Sequence, residues 1–176
     1  SFSQNESLFR KSTLQVITNL HLDLYAGEVL AVVGSSGAGK SLLAHAILGI
    51  LPQNAAVSGH LFYEGKALTA ALQEELRGRE IALIPQSVNF LDPLMRVGPQ
   101  VLSGVRGERA KNHFKLKQVF RRYRLGEHVE RMYPFELSGG MARRVLLATA
   151  VMSEAKLMIA DEPTPGLHPS AVKEAL

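Results

Sequence analysis

The chain has 176 residues, 46 % hydrophobic and 20 % charged, enough for one sizeable core with room for a subdomain. It holds no cysteine, which excludes disulfide staples and thiolate metal sites, and its formal net charge is +4. No apolar run approaches the ~20 residues that a bilayer crossing takes; the longest, Val145 to Met152, suits a buried helix. A mild positive balance by itself does not separate nucleic acid, an anionic membrane surface and a phosphate ligand as partners. The opening, SFSQNESLFRK, has neither the apolar stretch of a signal peptide nor an initiator Met, and the end, SAVKEAL, stops inside a helical pattern. The expectation is a piece cut at both ends.

Thr13 to Ile17 and His21 to Tyr25 alternate apolar and polar residues and predict half-buried strands, followed by a turn at Ala26-Gly27-Glu28. Val29 to Val33 is a continuous apolar run and predicts a strand covered on both faces. Ser41 to Ile50 predicts a helix, with Pro52 just past its end. Ser58 to Glu64 alternates again, Leu72 to Arg79 reads as a helix, and Ile81 to Ile84 is a short buried strand stopped by Pro85. Ser87 to Gly107 is loop-like, with a short helix at Gln100 to Leu102. Glu108 to Arg124 is a basic amphipathic helix with Phe114, Leu116, Val119 and Phe120 as its apolar positions. Glu127 to Met132 continues helically until Pro134, Gly139 to Ser153 is a further helix, and Leu157 to Ala160 is a buried strand delivering Asp161.

GSSGAGKS, Gly34 to Ser41, interrupts this pattern between a predicted strand and a predicted helix and satisfies G-x-x-x-x-G-K-[ST]. Gly34, Gly37 and Gly39, with Ser35, Ser36 and Ala38 between them, let backbone N–H groups turn inward around a phosphate without Cβ clashes. The helix that begins near Lys40 points its unpaired N–H groups at the same anion. Lys40 adds a full charge for the β- and γ-phosphates, and the Ser41 hydroxyl is placed to ligate Mg²⁺. The predicted ligand is a nucleoside triphosphate.

Leu157 to Glu162, LMIADE, describes a buried strand that carries carboxylates to the C-terminal edge of a sheet, where ligands bind in open α/β folds. Asp161 then holds the Mg²⁺ shell, and Glu162 polarises an attacking water as general base. In LSGGM, Leu137 to Met141, Ser138 can cap the helix that follows, and Gly139 and Gly140 bare the N–H groups of its start. One nucleotide on one chain has no use for two such helix ends. Two chains head to tail do: each LSGG covers the γ-phosphate held by the other's lysine loop.

Taken in order, the lysine loop, a glutamine after a strand in LIPQS, LSGGM and LMIADEPT resemble the nucleotide-binding subunit of ATP-binding cassette (ABC) transporters, across nearly the whole chain. The resemblance implies an α/β fold: a P-loop NTPase core with a mixed, partly parallel sheet, an antiparallel β subdomain and an inserted α-helical subdomain. The core with its β subdomain would take residues 1–86 and 157–176, and the helical signature subdomain 87–156, gripping a membrane partner. Gln86 would reach Mg²⁺ and the attacking water, making Glu162, Gln86 and Lys40 the catalytic set and Ser41, Gln86 and Asp161 the Mg²⁺ set. An aromatic near the start would stack on adenine, and Phe9 and Phe2 both qualify.

NFLDPLMRVGPQV and YPFELSGGMARRVLLA look like the oligopeptide, dipeptide and nickel importer ATPases, whose signature commonly ends in Met, as Met141 does here. The implied partners are transmembrane permease subunits, a second ATPase subunit of the same or a sister kind and, indirectly, an extracytoplasmic solute-binding protein, with no nucleic acid expected. The implied location is the cytoplasmic face of the inner membrane, as a peripheral subunit. In PTPGLHPS, His168 stands where the family usually has Asp, which bears on coupling between the two sites, and the family's switch histidine falls beyond Leu176.

The remaining candidates read more plainly. His45 suits a packing or surface role on the helix behind the lysine loop, and His113 and His128 lack a second ligand at metal spacing. Arg121-Arg122-Tyr123-Arg124 reads as a solvated basic face, part of it near lipid headgroups if the domain docks under a membrane. The competing reading is a soluble ABC-type ATPase acting on nucleic acid or ribosomes, supported by charge alone. The stretch between Gln86 and Ser138 is too short for the long coiled coil of chromosome-type relatives. A P-loop kinase or switch GTPase has no use for LSGG.

Overall fold

The two short apolar runs at Ile81–Ile84 and Leu157–Ala160 pair as parallel strands in the computed structural model, which describes residues 2–7, 10–14, 17–35 and 37–162. The chain divides into two units between Glu74 and Glu75.

In the first unit, β1 (Phe2–Ser7) and β2 (Arg10–Leu14) form an antiparallel pair with Phe2 opposite Leu14 and an irregularity between Asn5 and Ser7. The expected turn is present: Gly27 has φ 84°, and Glu28 N–H donates to Tyr25 O at 3.1 Å. Helix α1 (Lys40–Leu48) starts after Gly39 and ends at Gly49, both left-handed, with φ 91° and 67°. β3 (Phe62–Tyr63) and β4 (Lys66–Ala67) make a small hairpin. Its two loop residues, Glu64 and Gly65, both have positive φ (49° and 76°), the twist a two-residue hairpin prefers. Helix α2 (Ala70–Leu76) carries Gln73, whose Nε2 donates to Ala46 O at 2.7 Å and Ile47 O at 3.1 Å, satisfying carbonyls at the end of α1.

Several expected elements of this unit differ. Among the described residues, 17–33 form no strand, so the strands predicted at His21 to Tyr25 and Val29 to Val33 are absent. Val29 is 89 % exposed and Val33 93 %, the reverse of the expected double-sided burial. The run has the β-branched residues of a strand, but a strand exists only where a neighbour supplies ladder hydrogen bonds, and no described segment pairs with it. Of the strand predicted over Thr13 to Ile17, Thr13 and Leu14 lie in β2, which starts earlier at Arg10, and Gln15 and Val16 lie outside the described residues; the strand predicted over Ser58 to Glu64 is confined to Phe62–Tyr63.

In the second unit, β5 (Ile81–Ile84) and β6 (Leu157–Ala160) match Ile81 with Leu157 and Ile84 with Ala160, and Asp161 N–H extends the ladder to Ile84 O at 2.9 Å. Between them come α3 (Val97–Leu102), α4 (Arg109–Arg122), 3₁₀ turns at Glu127–Arg131 and Pro134–Glu136, and α5 (Gly139–Met152). Helix α5 is the central rod. Its Ala142, Val145, Leu146, Leu147, Ala148, Ala150 and Met152 are buried, because it meets α3, α4 and β5 on different sides. The shared core includes Val97, Val101, Leu116, Phe120 and Val129. Lys115 on α4 pairs with Glu154, and that hydrogen bond, then the lysine's charge, holds the Glu154 carboxyl below its ordinary value.

Helix α3 begins at Val97, earlier than the predicted Gln100, through Gly98 and Pro99. Proline is tolerated in a first turn, where its missing N–H has no helical partner to lose. Gly98 permits a close approach: a Cβ there would lie 2.9 Å from the backbone oxygen of Glu130. Gly98→Ala should therefore lower unfolding stability by roughly 1–3 kcal/mol, as overpacking against backbone does. Denaturant titration of the variant checks this, and an unchanged midpoint would refute the close approach.

Candidate functional site

The lysine loop of the first unit is built from its own backbone. Gly34 lies so near the returning chain that an added Cβ would sit 3.3 Å from Ala38 Cβ. Ala38 N–H donates to Ser35 O at 3.1 Å, and Gly37 (φ 80°) and buried Gly39 (φ 91°) adopt the left-handed backbone that glycine favours. Gly39 caps α1 without a side chain, so no capping oxygen is offered to the first N–H groups of that helix. Lys40 is its first residue and Ser41 its second. The Lys40 ammonium donates to Gly34 O (2.9 Å) and Ser35 O (3.0 Å), folding the side chain back over the start of the loop. The arrangement suits an anion: helix-start N–H groups and one cation, held by a loop whose carbonyls the cation itself engages. His45, farther along α1, is half-buried.

In the second unit the parallel register of β5 and β6 sets their ends side by side. Pro85 ends β5 and is followed by exposed Gln86; Asp161 and Glu162 follow β6, both partly buried. Gln86 Nε2 donates to Glu162 Oε2 at 2.6 Å. Glu162 has φ 46°, a left-handed backbone that a residue with a Cβ adopts at some expense.

The signature segment lies in the same unit. The Tyr133 N–H donates to Glu136 Oε2 at 2.6 Å, and the Arg96 guanidinium lies 5.1 Å over the Tyr133 ring, fixing the approach to Ser138. Ser138 caps α5 as its position in the sequence predicts, its hydroxyl accepting from Met141 N–H at 3.2 Å. Gly139 is exposed, and a Cβ there would meet nothing within 4 Å, so the helix start is open to an approaching group.

Sequence reasoning passed over Arg143. Its guanidinium donates through Nη1 to Glu162 O at 2.9 Å and through Nη2 to Gln86 O. Its only sequence signal is its place five positions after Ser138 on the signature helix. His113 and the arginine run find ordinary partners. His113 Nε2 lies 3.2 Å from Glu130 Oε2. Tyr123, in the middle of that run, is 4 % exposed and belongs to the core, while Arg121 and Lys117 lie near Glu127. Phe9, Ser36 and His168 lie outside the described residues, and the Phe2 side chain is likewise not described.

A family profile described as "ABC transporter" matches residues 17–165. The dipeptide transport ATP-binding protein DppD of Caldanaerobacter subterraneus is 37 % identical over 171 residues, covering 91 % of this chain and 52 % of that protein. The metal-staphylopine import system ATP-binding protein CntD of Staphylococcus aureus is 30 % identical over 162 residues, covering 86 % of this chain and 60 % of that protein. The chain thus spans little more than half the length of these relatives. A solved dimeric bacterial ABC transporter cassette superposes with a TM-score of 0.79 at 21 % identity, covering 99 % of this chain and 77 % of that one. That likeness shows the fold: the α/β, P-loop NTPase architecture expected from the sequence.

Proposed function

Since this chain belongs to the ABC transporter family, we propose that it is the ATP-binding and ATP-hydrolysing part of an importer, powering uptake of peptides or metal chelates through a membrane permease. The observation that carries the reading is its similarity, along 91 % of its length, to a dipeptide transport ATP-binding protein. The metal-staphylopine relative supports the metal-chelate alternative for the cargo.

ATP is held, in this reading, by Gly34 to Ser41. Backbone N–H groups and Lys40 take the phosphates, and Phe9 or Phe2 stacks on adenine. Ser41, Gln86 and Asp161 supply hydroxyl, amide and carboxylate oxygens, a hard donor set suited to Mg²⁺. The hydrogen bond from Gln86 Nε2 to Glu162 fits this, because it spends the amide's nitrogen on the carboxylate and leaves its oxygen for a cation. Bound Mg²⁺ would offset charge on the phosphates. Glu162 acts as general base toward water, and Gln86 orients it. Ser138, Gly139 and Gly140 cover the γ-phosphate on a second subunit, either a copy or a sister chain. Residues 1–86 and 157–176 serve as the ATP-binding core and 87–156 as the signature subdomain that meets the permease, at the cytoplasmic face of the inner membrane. A solute-binding protein outside the membrane delivers cargo to that permease. Among the described residues no helix is long and apolar enough to cross a membrane.

The test is the complete protein reconstituted with its permease in liposomes. ATP turnover should rise when the permease and a loaded solute-binding protein are present. Turnover stimulated by RNA or DNA and indifferent to the permease would overturn the reading.

A further inference from the structure

One side chain joins three parts that the proposed chemistry keeps separate. We infer that Arg143 is a positioning residue that locks Gln86 and Glu162 to the signature helix, so that the helix start that meets ATP and the carboxylate that activates water move as one body. The inference rests on the roles proposed above for Glu162 and Gln86.

The geometry is specific. Arg143 is partly buried on α5, and its planar fork reaches the backbone oxygens that follow the two parallel strands, Gln86 O after β5 and Glu162 O after β6. Two acceptors on separate strands, held by one rigid donor group, are fixed in distance as well as direction. Glu162 is the residue that needs such a hold. Its left-handed φ of 46° is disfavoured for any residue with a Cβ and persists only where surrounding contacts over-determine it. Arg143 bonds the carbonyl of that residue, while Gln86 bonds its carboxylate. Backbone and side chain of Glu162 are therefore both set by partners that Arg143 touches.

Arg143 lies five positions after Ser138, about one and a half turns into α5 from the capped helix start. The helix is packed on α3, α4 and β5, so the short stretch between its start and Arg143 offers no soft element in which a displacement could dissipate. The neighbouring arginine is used differently. Arg144 Nε donates to Gly140 O at 3.1 Å and its Nη1 to Arg124 O at 3.4 Å, latching the helix to its own first turn and to the end of α4. Adjacent helical positions point about 100° apart, which is how two like residues serve two faces. A lysine at position 143 has one ammonium and no fork, so it can hold one strand end firmly but not both at fixed separation.

The experiment is steady-state ATP hydrolysis by the complete transporter carrying Arg143→Ala or Arg143→Lys, with ATP affinity measured in parallel. For Arg143→Ala, kcat should fall about 10- to 100-fold, the scale on which small misplacements of a reacting group act. KM and the Kd for ATP should stay within about twofold, because no phosphate contact is removed. Arg143→Lys should recover part of kcat with KM again unchanged; this variant keeps charge and length and serves if the alanine variant folds poorly. A role in folding alone would instead lower the amount of active protein and leave the kcat of titrated sites untouched. Full kcat in Arg143→Ala, or a loss that appears in ATP affinity, overturns the inference. Failure of the underlying reading shows separately, as absence of permease-coupled ATP turnover in the unmodified protein.

Discussion

Lys40→Ala is expected to weaken ATP binding by about 10²-fold or more, the consequence of deleting the one full positive charge in a loop otherwise made of backbone. Removing one partner of a hydrogen-bonded charge pair is worth about 2–5 kcal/mol, and each 1.4 kcal/mol is tenfold in affinity. A second effect adds to it. The ammonium also donates to Gly34 O and Ser35 O, so the alanine variant loses the bonds that hold the loop's first residues against its end. A glycine-rich loop has much conformational freedom to regain. Binding of a fluorescent ATP analogue measures the loss. Unchanged affinity would remove the lysine from the site.

Glu162→Gln is expected to separate binding from turnover. The amide is nearly the shape of the carboxylate but cannot accept a proton from water, so hydrolysis should fall about 10²- to 10⁴-fold, the usual contribution of a general base. ATP affinity should be kept, and the undischarged nucleotide should hold two subunits together. The variant also changes the partner of Gln86 Nε2, which now donates to an amide oxygen at the same position, so the local geometry is conserved while the chemistry is removed. Single-turnover hydrolysis and light scattering with ATP check the two halves. A variant that still turns over ATP at the original rate would exclude Glu162 as the base.

How much of this was legible in the sequence depends on range. Features fixed within a few residues were legible. The glycine loop opening α1, Ser138 capping α5, and short strands delivering Gln86 and Glu162 all follow from local spacing and form where the residue types require, although Leu157–Ala160 is not the buried strand expected: Met158 is 44 % exposed. The helix limits are close for the same reason, α4 at Arg109–Arg122 against the predicted Glu108 to Arg124. Val29 to Val33 was misread because its composition reports strand propensity, whereas a ladder needs a second strand that composition does not name. Gly98 and Pro99 were read as loop on propensity. In the fold a first-turn proline is harmless, and the absent Cβ lets α3 approach Glu130. Arg143 was passed over because its meaning lies in two carbonyls far away in sequence, Gln86 and Glu162, and no periodicity encodes a contact to a carbonyl.

The proposal that each nucleotide is shared between two subunits is open to one decisive mixing experiment. One subunit carries Lys40→Ala with an intact signature; the other carries a bulky charge, Gly139→Arg, at the exposed helix start with an intact lysine loop. Each alone should be inactive. If a site takes its loop from one subunit and its signature from the other, the mixed dimer contains one wholly intact site and one doubly damaged site, and ATP turnover should reappear on mixing. If each subunit completes its own site, every site in the mixture carries a lesion. Turnover that stays at the level of the two inactive parents, in a mixture shown to contain dimers of unlike subunits, would contradict the account.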